Sequence, residues 1–285
     1  MTYKKRSLKF QFTLKSGAFD DRGGNILTID NIKAELEVGA YGGVTGTTLD
    51  ARVYGLSMEK MALLSYKGIQ LNGAKQNMIK IWADDEPIFF GSIMNCFADM
   101  NQMPDAPLHI MATATGFEQS VITADFSARG SVSVTDIITS IAKSIGYTVV
   151  NNGVKDVRDN PYYSGDPISQ IRQCARDAGI EIDISLMVIS IWPKGGRKDE
   201  VKPFISPEYG LIGYPVFNNY GISFSCIYSN LIIRGRELEL ETNLPNASGT
   251  YTIQAAKHYL STWTEGGPWM TTGWASIGPI TGGLQ

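Results

Sequence analysis

Strict alternation of apolar and polar residues through the last quarter of the chain is its most constraining feature. Gly221-Ile222-Ser223-Phe224-Ser225-Cys226-Ile227-Tyr228 alternates, as do Arg236-Glu237-Leu238-Glu239-Leu240-Glu241-Thr242 and Gly249-Thr250-Tyr251-Thr252-Ile253-Gln254. Gly266-Gly267-Pro268-Trp269-Met270-Thr271-Thr272 closes the series. A period of two, punctuated by Gly, Pro and Asn, predicts a meander of half-buried antiparallel strands.

The first third carries the same period. Leu8, Phe10, Phe12 and Leu14 share one face of a strand, and residues 32–38 and 49–56 alternate in the same way. Gly39 to Thr48 is rich in Gly and Thr and reads as a loop. A helical interruption is expected over residues 57–65, where Met58, Met61, Leu63 and Leu64 form a partial stripe. Residues 78–83 and 87–93 flank Asp84-Asp85-Glu86, which predicts a hairpin with an acidic tip rather than a metal site. Residues 108–115 form a closing strand.

The middle third changes period. Val134, Ile137, Ile138, Ile141, Ala142 and Ile145 form one helical face, with Ser133 as N-cap and Gly146 as the stop before a strand at Tyr147. Asp166-Pro167 opens a second helix whose face is Ile168, Ile171, Cys174, Ala175 and Ala178, ended by Gly179 before a strand from Ile180. Helix-Gly-strand therefore occurs twice, with residues 151–165 as the loop between. A hairpin turning near Ser185 follows, and residues 194–209 read as an exposed linker.

Composition excludes several classes. A chain of 285 residues is about two domains' worth, and its net charge of −3 gives no electrostatic reason to capture nucleic acid. Cys96, Cys174 and Cys226 are far apart and fit neither a disulfide framework nor a zinc site. The alternating, lysine-bearing N-terminal stretch is not expected to be a signal peptide, and the most apolar run, residues 184–192, is too short to span a bilayer.

Candidate chemistry is sparse. His109 and His258 stand in strand-like contexts without a carboxylate or cysteine at ligand spacing, and read as core or edge histidines. Gly42-Gly43-Val44-Thr45-Gly46 lacks the lysine of a phosphate loop. The acids cluster in turns: Asp20-Asp21, Asp84-Asp85-Glu86 and Asp199-Glu200. Trp263, Trp269 and Trp274 lie on consecutive segments, where they either pack inside a barrel or interface or stack on sugar rings. The expectation is no catalytic residue, no cofactor-binding residue and no metal ligand.

The order of landmarks in the last block is Gly213-Tyr214-Pro215, a strand pair pivoting on Arg234-Gly235-Arg236, Gly249-x-Tyr251-x-Ile253, Lys257-His258 and Gly266-Gly267-Pro268-Trp269. With Val53-Tyr54-Gly55-Leu56-Ser57 in the first block, this order resembles the baseplate hub proteins of contractile bacteriophage tails. The resemblance implies a mainly β fold with a small α+β insert. Two tail-tube-like antiparallel β-barrel domains, at residues 1–115 and 201–285, would flank helix-strand elements at residues 116–200. It implies a structural protein, not an enzyme: a trimeric adaptor joining the hexameric tail tube to the trimeric central spike. Its expected partners are two further copies of itself, the tail-tube or tube-initiator protein, the spike and other baseplate proteins. The tape-measure protein and DNA would pass through its channel at genome ejection without specific binding. Such a protein is made in the host cytoplasm and resides in the virion. The alternatives are a carbohydrate- or cell-wall-binding tail protein using exposed tryptophans and, third, a peptidoglycan-cleaving tail enzyme.

Overall fold

Alternation in the first block becomes seven strands in the computed structural model, which describes residues 6–41, 46–65, 76–116, 118 and 121–278. They are β1 (Leu8–Thr13), β2 (Ile26–Asp30), β3 (Ala34–Ala40), β4 (Thr47–Val53), β5 (Met78–Ala83), β6 (Glu86–Ala98) and β7 (Leu108–Thr113), with helix α1 (Met58–Leu64) after β4. Leu8, Phe10 and Phe12 are buried on one face of β1, as a pleated strand requires. Ser57 caps α1 by accepting a hydrogen bond from the Lys60 amide. The acidic tip is a two-residue turn in which Asp84 and Asp85 both have positive φ, 49° and 71°, the geometry that matches strand twist in a tight hairpin. Asp84 Oδ1 also accepts the Ser7 amide at 3.0 Å. Strand β2 was not expected, and Gly42-Gly43-Val44-Thr45 lies outside the described residues.

The middle third contains β8 (Phe126–Ser127), β9 (Ser131–Ser133), α2 (Val134–Ser144), β10 (Thr148–Asn151), β11 (Val157–Asp159), β12 (Tyr162–Tyr163), α3 (Pro167–Ala178), β13 (Ile180–Ser185) and β14 (Val188–Pro193). Both expected helices form with their expected caps. Ser133 Oγ accepts the Asp136 amide at 3.0 Å, and Asp166 accepts the Ser169 amide at 2.9 Å. Gly179 ends α3 in the left-handed region, at φ 64°. Ile137, Ile138 and Ile141 of α2 and Ile168 and Ile171 of α3 pack on Ile182, Ile184, Ile189 and Ile191, a core of their own. Beneath them lies a three-stranded sheet, β10-β14-β13, with β10 parallel to β14. The segment read as a loop holds β11 and β12, which pair back to β9 and β8. Those pairings are non-local and leave no period of their own.

The last block is β15 (Phe204–Ile205), β16 (Leu211–Asn218), β17 (Gly221–Ile227), β18 (Glu237–Leu240), β19 (Gly249–Thr262) and β20 (Trp269–Ser276). The fold is mainly β with a small α+β insert, but the two β blocks are not separate closed barrels. They belong to one 13-stranded sheet with the path β16-β17-β20-β19-β3-β4-β7-β6-β5-β1-β2, and β18 and β15 branch from β19. Among the described strands this path does not close on itself. The reason is the length of β19: its second half outruns β18, and β3 takes the exposed edge.

The segment 194–209, expected as an exposed linker, is mostly exposed, but it is tied down and carries β15. Lys198 Nζ lies 2.6 Å from Asp183, and Arg236 lies 2.8 Å from Asp199. The insert is also tied on both sides. Tyr147 donates its hydroxyl to the Ala114 carbonyl at 2.7 Å, and Arg234 donates to the Ile182 carbonyl at 2.9 Å and to Glu181 at 2.5 Å.

Candidate assembly interface

The two β blocks share one strand order. The first runs β3-β4-β7-β6-β5-β1 and the second β16-β17-β20-β19-β18-β15. Ranked along the chain, with β2 set aside, both paths read 2-3-6-5-4-1. The likeness extends to an irregularity, because β6 bulges against β7 between Ile93 and Asn95, and β19 bulges against β20 between Ile253 and Ala255. One difference is direction: β1 is antiparallel to β5, whereas β15 is parallel to β18.

The blocks meet edge to edge inside the chain. On one side of β19, residues 249–252 pair with β18 and residues 256–262 with β3. Its counterpart β6 pairs with β5 through residues 86–92, but among the described residues no strand pairs with residues 94–98 on that side. Strand β16 likewise has β17 as its one partner among the described strands. Ile212, Tyr214, Val216 and Phe217 are all exposed there. An uncovered apolar edge strand is a template for pairing with another chain. Beside it lies an open groove of about 580 Å³ lined by Tyr41, Asn218, Tyr220, Gln254, Ala255 and Trp274, among others.

The structure scatters the residues that sequence reasoning had weighed for chemistry. His258 in β19 is buried, its Nδ1 2.8 Å from Thr271 Oγ1 and its ring edge-on to Tyr228. Burial lowers its pKa to about 4, so it is neutral at physiological pH. His109 in β7 stacks on Phe97 with ring centroids 4.9 Å apart. Burial pushes the three thiols up, to about 12 for Cys96, 11 for Cys174 and 12 for Cys226, which suits small apolar fillers. Among the described residues no three His, Cys, Asp or Glu side chains gather as a metal site requires.

The tryptophans do not share one face. Trp263 is exposed at a turn, Trp269 is buried against Tyr228, and Trp274 lines the groove. The acids are taken up in structural contacts: Asp20 Oδ1 accepts the amides of Arg22 and Gly24 within its own turn, and both Asp199 oxygens accept Arg236 Nε from a distant segment at 2.9 Å. Sequence reasoning missed the β16 edge. Its signal was the nearly unbroken apolar run Leu211-Ile212-Gly213-Tyr214-Pro215-Val216-Phe217, in which alternation is lost.

No curated protein matches the sequence. Among solved structures, the chain is similar to a tail protein from Neisseria meningitidis MC58, with a TM-score of 0.68 at 7% identity, covering 96% of this chain and 97% of that one. It is also similar to the 43 kDa tail protein of prophage MuSo2 from Shewanella oneidensis, with a TM-score of 0.63 at 8% identity over 96% and 98% of the two chains. A third is the Escherichia coli c3393 protein, a type VI secretion system component described as structurally similar to the T4 tail proteins gp27 and gp5. There the TM-score is 0.61 at 10% identity, over 88% of this chain and 74% of that one. At such identities the likeness establishes the fold. Residues 74–266, more than half of the chain, match the family described as baseplate hub gp41. The chain belongs to the baseplate hub gp41 family.

Proposed function

We propose that three copies of this chain form a ring that adapts the six-fold end of a tail tube to a three-fold central spike. The observation that carries this reading is the pair of β blocks with one strand order, set edge to edge within one chain. Two similar blocks per chain make six quasi-equivalent positions from three copies, and closed cyclic symmetry keeps the contact from growing into a filament. On this reading residues 1–115 and 201–285 act as tube-like domains, and residues 116–200 stand off the ring. Family membership itself implies a place in the phage tail and other tail components as partners.

The work is geometric, with binding spread over strand edges and rims rather than concentrated in a catalytic centre. Residues facing the axis are then mostly small, polar or acidic, because a basic lumen would retain DNA phosphates through counterion release. Mass measurement of the hub, alone and with its spike, tests the stoichiometry. Electron-microscope images of the same particles test for a ring with a central hole. A monomer or dimer in the assembled tail, or an axis lined with arginines, overturns the reading.

A further inference from the structure

We infer that β16 of one copy adds to the open edge of β6 in the next copy, in a register set by the seam between β19 and β3. This inference rests on the three-copy ring and specifies how its chains join.

A single rung across four strands fixes the correspondence. In the first block Ile93 pairs with Ala112, Ala112 with Leu49, and Leu49 with Val38. In the second block Ile253 pairs with Ala275, Ala275 with Ile222, and Ile222 with Phe217. Both rungs start at the residue just before the bulge. Val38 therefore corresponds to Phe217, and Gly39 to Asn218. Beyond the bulge, Lys257 and His258 correspond to Phe97 and Ala98.

Inside the chain, Lys257 pairs with Gly39 and His258 with Val38. Substituting the corresponding residues places Phe97 opposite Asn218 of the next copy, and Ala98 opposite Phe217. Among the described strands, neither edge has a partner where this requires one. The exposures agree: Val38, inside the sheet and in the first block's core, is 1% exposed, whereas Phe217 on the same rung but at the sheet's edge is 54% exposed. An antiparallel partner would cover Phe217 as β19 covers Val38.

The same mapping explains two further features. At the internal seam Lys257 forms an ion pair with Glu37 on the diagonal. The corresponding residues, Phe97 and Val216, are both exposed and apolar, so the seam between chains is closed by a hydrophobic contact. Tyr41, which follows β3 and lines the groove beside Ala255, corresponds to Tyr220. Tyr220 of the next copy then covers Asn95. Different side chains at corresponding positions also keep the two seams from exchanging partners.

The test is disulfide trapping in the purified hub and in intact tails. Phe97→Cys combined with Asn218→Cys is expected to give covalent dimers and trimers on non-reducing gels, ending at the trimer. Phe97→Cys combined with Ile212→Cys, out of register, is expected to stay uncrosslinked, as is each single variant. All these positions are exposed in the single chain. Asn218 Oδ1 also accepts the Tyr220 and Gly221 amides, so circular dichroism of the Asn218→Cys single variant checks that the turn and the fold survive. Val216→Lys is expected to weaken trimer formation at least roughly tenfold without moving the unfolding midpoint of the monomer. A trimer by native mass spectrometry that crosslinks equally in both pairs, or in neither, overturns the strand pairing and leaves the ring standing. A monomer or dimer in the assembled tail overturns the ring and the pairing together.

Discussion

Lys257 on β19 and Glu37 on β3 form an ion pair across the seam that joins the two β blocks. The hydrogen bond and charge of Glu37 keep Lys257 protonated to higher pH than an ordinary lysine. The side chains are 20% and 38% exposed, so water screens them. Glu37→Gln is expected to cost about 1 kcal/mol or less in urea unfolding at neutral pH. Because the folded-state pKa of Lys257 is raised, this contribution is complete below the ordinary lysine pKa and fades as pH climbs through the folded value. The difference between wild type and variant should thus be flat through neutral pH and shrink only in strong alkali. A loss well beyond that at pH 7 would mean that the charges, not the backbone ladder, hold the seam.

His258 makes the acid limb of stability steeper. Its folded pKa of about 4 lies below the ordinary 6.5, because burial disfavours the charged ring. Between those values the unfolded chain binds a proton that the native one does not, so stability is complete above pH 6.5 and falls as pH drops toward 4. The loss from this one group reaches about 3 kcal/mol. His258→Gln should unfold at a pH-independent offset from wild type above pH 7 and show a shallower decline below it. Parallel declines would show that the histidine is not the group titrating. Assembly of folded His258→Gln and His109→Gln proteins is expected to be normal.

Gly273 is a steric necessity. It sits opposite Phe224 across β17 and β20, and a Cβ at this position would fall 2.3 Å from Phe224 Cζ. Phe224 is buried and has little room to retreat. Gly273→Ala should lower stability by about 1–3 kcal/mol, the usual range for overpacking. Combining it with Phe224→Leu should recover part of that loss, and strict additivity of the two changes in denaturant unfolding would refute the clash.

The turn at Asp84-Asp85 offers the opposite outcome. Asp84 accepts the Ser7 amide, but Asp85 occupies φ 71°, where a side chain brings strain. Asp85→Gly should stabilise the hairpin by about 0.5 kcal/mol, raising the thermal midpoint slightly. Asp84→Gly should gain less or lose, since it also removes an acceptor. Equal shifts for both would rule out the distinction.

Local chemistry was legible in the sequence where one side chain satisfies its own neighbourhood. Ser133, Asp166-Pro167 and Gly179 announced both helices, and Asp84-Asp85 between two alternating runs announced a hairpin. Strand order was not legible, since pairing β19 with β3 joins residues far apart in the chain and leaves no local trace. The anchoring of the exposed segment 194–209 was hidden for the same reason. Lys198 and Asp199 look solvated in the sequence, yet their partners Asp183 and Arg236 arrive from other elements. The β16 edge was the part of the proposed interface closest to being readable, because its apolar run departs from the alternation of the strands that follow.

The ties made by Tyr147 to Ala114 and by Arg234 to Ile182 anchor the helical insert to both arms of the sheet. A body fastened at two separated points resists rotation about either one. In the proposed ring, a partner docking on that insert would meet a surface held in place by both β blocks, and a pull on it would be shared between them instead of being dissipated in a swivel. Removing one tether, with Tyr147→Phe, should leave the chain folded while loosening the insert on the side of the first block, seen as faster amide exchange around Tyr147.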